Sequence, residues 1–498
     1  MKTAWPAIAL IATLAVKNDL GGRFTFFVKR PPRSISQSTT LAADLDRIFG
    51  DAALTRALIG VRIESLRDGQ LLYSRDSAKL VMPASNMKLL TMSVAADKLG
   101  WDFTYRTRLE RSGTIADGTL HGDLIVIGSG DPSISAQDFA SAPLFGEWAD
   151  ALRQAGIHRV DGRLIGDDGY FDDEGLGAGW AWDYLGAGYA APSGALSYNE
   201  NVAVIRLWPG KTAGEAARVE LSPPGHLLRV KSDVITGAAG SAANVDLLRL
   251  PGSPDLTIRG SVPAGGSAVI RTTAVDNPTR FFIEDLRLAL AARGITITGG
   301  GWDIDDLTAP VPSTGRQVVA TRESAPLSSL AAYFLKASQN FYGEQILKTV
   351  GKVAGQGGTT AAGRDVVRAT LGGWGIPADA FVMYDGSGLS RYNYVSADTI
   401  VGILKHVWND AKMRGPFLAA LPVAAHDGTL DTRMKGTILD AHVQAKTGTI
   451  SNVRSLSGFL ETKSGEKIVF SMIANNFTVP SSQIDAIAER ALARLAER

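Results

Sequence analysis

The feature that most restricts the fold is the distance between three short polar motifs. Ser85-Asn86-Met87-Lys88 opens a helix-like apolar run, Leu89 to Leu99, that Gly100 ends. Ser338-Gln339-Asn340 begins 253 residues after Ser85, and Lys446-Thr447-Gly448-Thr449 begins 108 residues after Ser338. Each motif is weak alone. If they act together, the chain must fold so that three distant segments meet in one cleft. Most of what lies between the first two must then stand aside as an insertion.

The chemistry gives a reason for them to meet. Residues three apart on a helix share a face, so Lys88 holds its amine beside the Ser85 hydroxyl. An alcohol needs an adjacent base to act as a nucleophile near neutral pH. A lysine serves only when neutral, which burial or a second nearby cation brings about. Ser464-Gly465-Glu466-Lys467 has the same spacing. It falls in a polar turn between two strand-like runs, Ser455 to Glu461 and Ile468 to Ala474, so it reads as a solvated hairpin tip.

Ser338 and Asn340 sit on a short connection between two helical stretches, Leu327 to Lys336 and Tyr342 to Val353. There side chains can point into a cleft, and an asparagine offers both a donor and an acceptor to a peptide-like substrate. Ser197-Tyr198-Asn199 repeats the pattern but leads into a strand, and reads as a turn. The run Ala441 to Ala445 reads as a strand entering Lys446-Thr447-Gly448-Thr449. A cation, two hydroxyls and a glycine that permits close backbone approach suit a carboxylate. A C-terminal helix buries Ile484, Ile487, Ala491 and Leu495.

Between Trp101 and about Ser313 the texture is short alternating runs broken by Gly, Pro and Asp, such as Leu120 to Ile127 and Val202 to Trp208. These read as strands, with helices near Leu144 to Ala155 and Thr279 to Arg293. Gly128-Ser129-Gly130 and Pro209-Gly210-Lys211-Thr212 lack the further glycines of nucleotide-binding loops and read as turns.

Composition removes several classes. Lys plus Arg is 51 and Asp plus Glu is 50, so nothing marks a nucleic-acid surface. Cysteine is absent, which removes disulfides, thiolate metal sites and a lipoprotein-type anchor. The six histidines, at 121, 158, 226, 406, 426 and 442, show no metal spacing. No metal or organic cofactor is implied. Met1-Lys2 followed by apolar Ala4 to Val16 resembles a signal peptide and is too short to span a bilayer. No later segment reads as a transmembrane anchor, and export to the periplasm or the wall side of the membrane is expected.

Serine-x-x-lysine on a helix, serine-x-asparagine on a connection and lysine-threonine-glycine on a strand form the set of penicillin-recognising serine enzymes. With the long insertion, the arrangement resembles the class C low-molecular-mass penicillin-binding proteins, the D-alanyl-D-alanine carboxypeptidase/endopeptidase family. Pro83-Ala84-Ser85-Asn86, Gly130-Asp131-Pro132, Asp385-Gly386-Ser387-Gly388-Leu389-Ser390 and Leu421-Pro422-Val423-Ala424 carry the likeness beyond the three motifs. The resemblance implies an α+β multidomain fold. Its β-lactamase/transpeptidase-like catalytic domain is a five-stranded antiparallel sheet with helices, split by a large, mostly β insertion of two nested parts. The expected division is a signal peptide at 1–16, a linker at 17–40, the peptidase domain at 41–100 and 316–498, and the insertion at 101–315.

It also implies roles. Ser85 attacks a D-Ala-D-Ala peptide bond of a peptidoglycan stem peptide, and Lys88 takes its proton. The amides of Ser85 and Thr449 receive the oxyanion. Ser338 relays a proton with help from Lys446, and Asn340 holds the substrate amide. Lys446, Thr447, Gly448 and Thr449 form the carboxylate site, and Arg391 meets the side-chain end of the stem peptide. β-Lactams would be trapped as acyl-enzymes. A β-lactamase shares the three motifs, but the insertion argues against it. A non-catalytic wall-binding scaffold would not need Ser85, Lys88, Ser338 and Lys446 intact.

Overall fold

A computed structural model describes residues 35–135 and 141–498. The signal-peptide reading of 1–16 and the first part of the linker lie outside the described residues. The first described helix runs from Ile35 to Phe49. The last residues assigned to the linker therefore belong to it.

The central sheet has five antiparallel strands in the order Leu71–Arg75, Leu58–Ser65, Lys467–Asn475, Val453–Glu461 and Val443–Ile450. Strand Lys467–Asn475 is buried along almost its whole length because both faces of the sheet are covered. Val469 and Ile473 face one core, with the Ser85 helix Met87–Leu99 and the helices Leu327–Lys336, Asn340–Ala354 and Ala397–Asn409. Ile468, Phe470, Met472 and Ala474 face the other, with Leu45, Phe49 and the C-terminal helix Ser481–Ala496. This period-two split between two apolar layers explains why the strand reads as a continuous greasy run. Met87 to Ala96 are all buried, so the Ser85 helix is the central one.

The insertion leaves and rejoins this domain at one place. The amide and carbonyl of Tyr105 bond to Ser324, and the Leu327 amide donates to the Phe103 carbonyl. Strand Gln317–Glu323 pairs with Arg106–Arg111, which draws residues past 315 into the inserted sheet. That sheet has five strands, with Leu124–Ile127 and Leu164–Asp167 parallel across the helix Ser141–Gln154. The single strand expected over Leu120 to Ile127 is two, Thr119–His121 and Leu124–Ile127, in different sheets. The chain changes sheet at Gly122-Asp123, where the Asp123 carboxylate binds Arg163 at 2.6 Å. Two three-stranded sheets built from residues 202–274 share a separate small core around Ile205, Leu256 and Ile258.

Candidate active site

The Ser85 turn is held from below by the sheet. A single 3-10 turn, Ala84–Asn86, precedes the helix, and Ala84 adopts a left-handed φ of 47°. Ser455 donates to the Pro83 carbonyl at 2.7 Å, and the Asn86 amide donates to Ser457 at 2.6 Å. Opposite Ser455 in the ladder is Gly448. A Cβ there would lie 2.7 Å from the Pro83 oxygen and 3.0 Å from the Ser85 nitrogen. Glycine is required because the Lys446 strand presses directly on the Ser85 turn.

Lys88 is fully buried and makes three contacts: Ser85 Oγ at 3.0 Å, Asn340 Oδ1 at 2.7 Å and the Ser387 carbonyl at 2.7 Å. The last two are acceptors only. A neutral amine has two N–H bonds and one lone pair. Donating to Asn340 and Ser387 uses both N–H bonds and turns the lone pair toward the one partner with a proton to give, Ser85. Burial pulls the Lys88 pKa down to about 7, against the opposing pull of the Asp385 and Glu344 carboxyls.

Lys446 is also fully buried and donates to Ser338 Oγ at 2.8 Å and to the Thr447 carbonyl at 2.9 Å. Burial first and then Lys88 hold its pKa well below the usual lysine value. Ser338 adopts a left-handed φ of 60° at the step between two helices. Asn340 is the first residue of the helix Asn340–Ala354 rather than part of the loop, and Gln339 caps it. Its amide nitrogen donates to the Tyr189 carbonyl at 2.9 Å.

Ser85, Ser338, Asn340, Thr447 and Thr449 line one cleft of about 560 Å³. Thr447 donates to the Thr429 hydroxyl at 2.7 Å, and Arg454 donates to Thr449. Arg391 stands to one side, where its guanidinium donates to the Tyr184 hydroxyl at 3.0 Å. Tyr184 and Tyr189 come from the insertion, stack edge-on at 5.7 Å, and line the same cleft. The second serine-x-x-lysine copy is taken apart: exposed Ser464 pairs with Thr462, while Lys467 turns to Glu461.

Sequence reasoning missed several groups that complete the site. Tyr184, Tyr189 and Thr429 carry no motif. The Ser387 carbonyl is a backbone group, invisible in side-chain patterns. Asp385 is fully buried and accepts from the amides of Gly388 and Ser390, from Asn393 and from the Trp180 indole at 2.6 to 2.9 Å. The Asp-Gly-Ser-Gly-Leu-Ser run was the only available signal, since an acidic residue among small ones marks a loop wound around a carboxylate.

The split five-stranded sheet and the convergent motifs define a penicillin-binding serine peptidase. The chain belongs to the D-Ala-D-Ala carboxypeptidase 3 (S13) family, which it matches over residues 41–497. It is 34% identical to a D-alanyl-D-alanine carboxypeptidase of Actinomadura sp. over 91% of this chain and 84% of that one. It is 26% identical to the D-alanyl-D-alanine carboxypeptidase DacB of Haemophilus influenzae, covering 84% and 86%. The crystal structure of penicillin binding protein 4 (dacB) from H. influenzae superposes with a TM-score of 0.79 at 24% identity, covering 92% of this chain and 99% of that one.

Proposed function

We propose that Ser85 is the nucleophile of a D,D-peptidase and Lys88 its general base. The supporting observation is the contact set of Lys88, whose two acceptor-only partners leave the lone pair facing Ser85. The Ser85 oxygen attacks the carbonyl of the D-Ala-D-Ala bond, and its proton passes to the Lys88 nitrogen. The amides of Ser85 and Thr449 receive the developing oxyanion, commonly the largest single contribution in acyl transfer. As the C–N bond breaks, Ser338, hydrogen-bonded to Lys446, relays the proton taken by Lys88 to the departing D-alanine nitrogen, which returns Lys88 to its free base. Water then attacks the Ser85 ester and gives a proton to Lys88, which passes it to the Ser85 oxygen as the ester C–O bond breaks.

Thr447, Thr449 and the Lys446 charge face the terminal carboxylate. The remaining N–H of Asn340 meets the peptide. Arg391, held by Tyr184, meets the far end of the stem side chain. The same steps release terminal D-alanine and hydrolyse a D,D-cross-link. In a β-lactam the cleaved nitrogen stays tethered, so the acyl-enzyme persists. This substrate requires export to the cell-wall side of the membrane. Among the described residues no helix is long and apolar enough to cross a membrane.

Labelling with fluorescent penicillin tests the assignment. Ser85→Ala should lose both the stable adduct and D-alanine release, whereas Ser464→Ala should keep both. Rapid turnover of the adduct by the wild type would instead indicate a β-lactamase, and no adduct at all a scaffold.

A further inference from the structure

Close to Lys88, and not among the residues lining the cleft, lies a buried carboxyl that none of the three motifs includes. Glu344 is one turn along the helix that begins with Asn340, and it is 3% exposed. One oxygen accepts from the Ser387 amide at 2.9 Å and the other from the Gly386 amide at 3.1 Å. The carbonyl of that same Ser387 receives Lys88 at 2.7 Å. Gly343, next to Glu344, allows the approach: a Cβ there would lie 2.9 Å from the Ser387 Cα. One helix therefore supplies both acceptors of the base. It gives Asn340 directly, and it gives the Ser387 carbonyl through Glu344.

We propose that Glu344 is a positioning residue for the base: its carboxyl pins the Ser387 carbonyl that orients the Lys88 lone pair, and its charge sets the pH at which Lys88 becomes free base. This rests on the assignment of Lys88 as base. The charged groups around it have different duties. Asp385, on the loop, spends its oxygens on Gly388, Ser390, Asn393 and Trp180. Lys348, one turn further along the helix, is paired with Asp172 of the insertion at 2.6 Å. Lys446, on the edge strand, reaches Ser338. Glu344 is left as the carboxyl whose bonded amide belongs to the residue that touches Lys88.

The charge has a defined sign. An ionised carboxylate near Lys88 favours the ammonium, which cannot accept a proton. Burial, and then Asp385 beside it, raise the pKa of Glu344 itself. A proton held on Glu344 removes that pull and leaves Lys88 free to act.

The test is the pH dependence of acylation by a fluorescent penicillin in full-length Glu344→Gln and Glu344→Asp, with thermal melting to confirm folding. Glu344→Gln removes the charge, so its acid limb should move down by about one pH unit. Its plateau rate should fall about tenfold or more, because the amide turns an N–H toward the Gly386 or Ser387 amide. Glu344→Asp keeps the charge but shortens the reach; its rate should fall while the limb stays at the wild-type position. A folded Glu344→Gln with a wild-type limb overturns the proposal. So does a shifted limb or a wild-type rate in Glu344→Asp, which decides the matter even if the glutamine variant does not fold. If Ser85→Ala still forms the adduct, the base assignment fails first. If it does not, and the Glu344 variants behave as wild type, only the role of Glu344 fails.

Discussion

Replacing Gly448 by alanine tests whether the Lys446 strand positions Ser85, the proposed nucleophile. The new methyl would meet Ser455 Oγ at 2.1 Å, Pro83 O at 2.7 Å and Ser85 N at 3.0 Å. Ordinary contact for a Cβ begins at 3.4 Å. Rotation of Ser455 offers little relief, because its hydroxyl is bonded to the same Pro83 carbonyl. The strand and the Ser85 turn must part by roughly 0.5–1 Å in an interior packed this densely. A displacement near 1 Å at reacting groups costs about 100-fold in rate, or about 2.7 kcal/mol of transition-state stabilisation. The second-order rate of penicillin acylation is the assay, beside a thermal melt, since overpacking also costs about 1–3 kcal/mol of stability. Gly372→Ala is the control: it lies in the helix Thr360–Gly373 with open space around its Cβ, and should acylate normally. A folded Gly448→Ala that acylates at the wild-type rate would refute the positional argument.

Three further outcomes are expected. Acylation by the wild type should rise with pH through a midpoint at about 7, where Lys88 gives up its proton, and fall about tenfold per unit below it; a flat profile between pH 5 and 9 would exclude Lys88 as base. Arg391→Ala should raise KM for a stem peptide roughly tenfold while kcat changes little, since a charge-assisted contact away from the reacting bond is lost; equal losses in kcat and kcat/KM would place Arg391 in the chemistry instead. Asp172→Ala should destabilise the protein by about 2–3 kcal/mol by leaving the fully buried Lys348 amine without its counter-charge; an unchanged chemical-denaturation midpoint would count against this.

The three motifs were legible because each is contiguous and sits in a local structure that its own residues specify. Leu89 to Leu99 reads as a helix and Gly100 stops it, so the Ser85–Lys88 geometry followed from spacing alone. The strands at 455–461 and 468–474 were legible as apolar runs, whereas the five-stranded sheet that holds them came only with the family resemblance. What escaped was everything made by distant pairs. Glu344 looks like any helical glutamate until Gly386 and Ser387 are folded against it. The break at Gly122-Asp123 is set by Arg163, forty residues later. Tyr184 and Tyr189 carry no pattern at all, and reach the cleft because the insertion is tied down by Gln345 and Lys348 on the Asn340 helix. Asn340 was legible as a site residue but not as a ligand of Lys88, because sequence order says nothing about which side chain closes on which.

The pairing of Leu58–Ser65 with Lys467–Asn475 puts the first long strand to leave the ribosome beside the last. About four hundred residues must be made before that strand finds its second neighbour, and closing so long a loop is entropically costly and slow. The segment bearing Ser85 therefore waits, greasy and unpartnered, through most of synthesis. A chain cut short before residue 467 would carry all three motifs and still lack the strand that joins the two halves of the sheet.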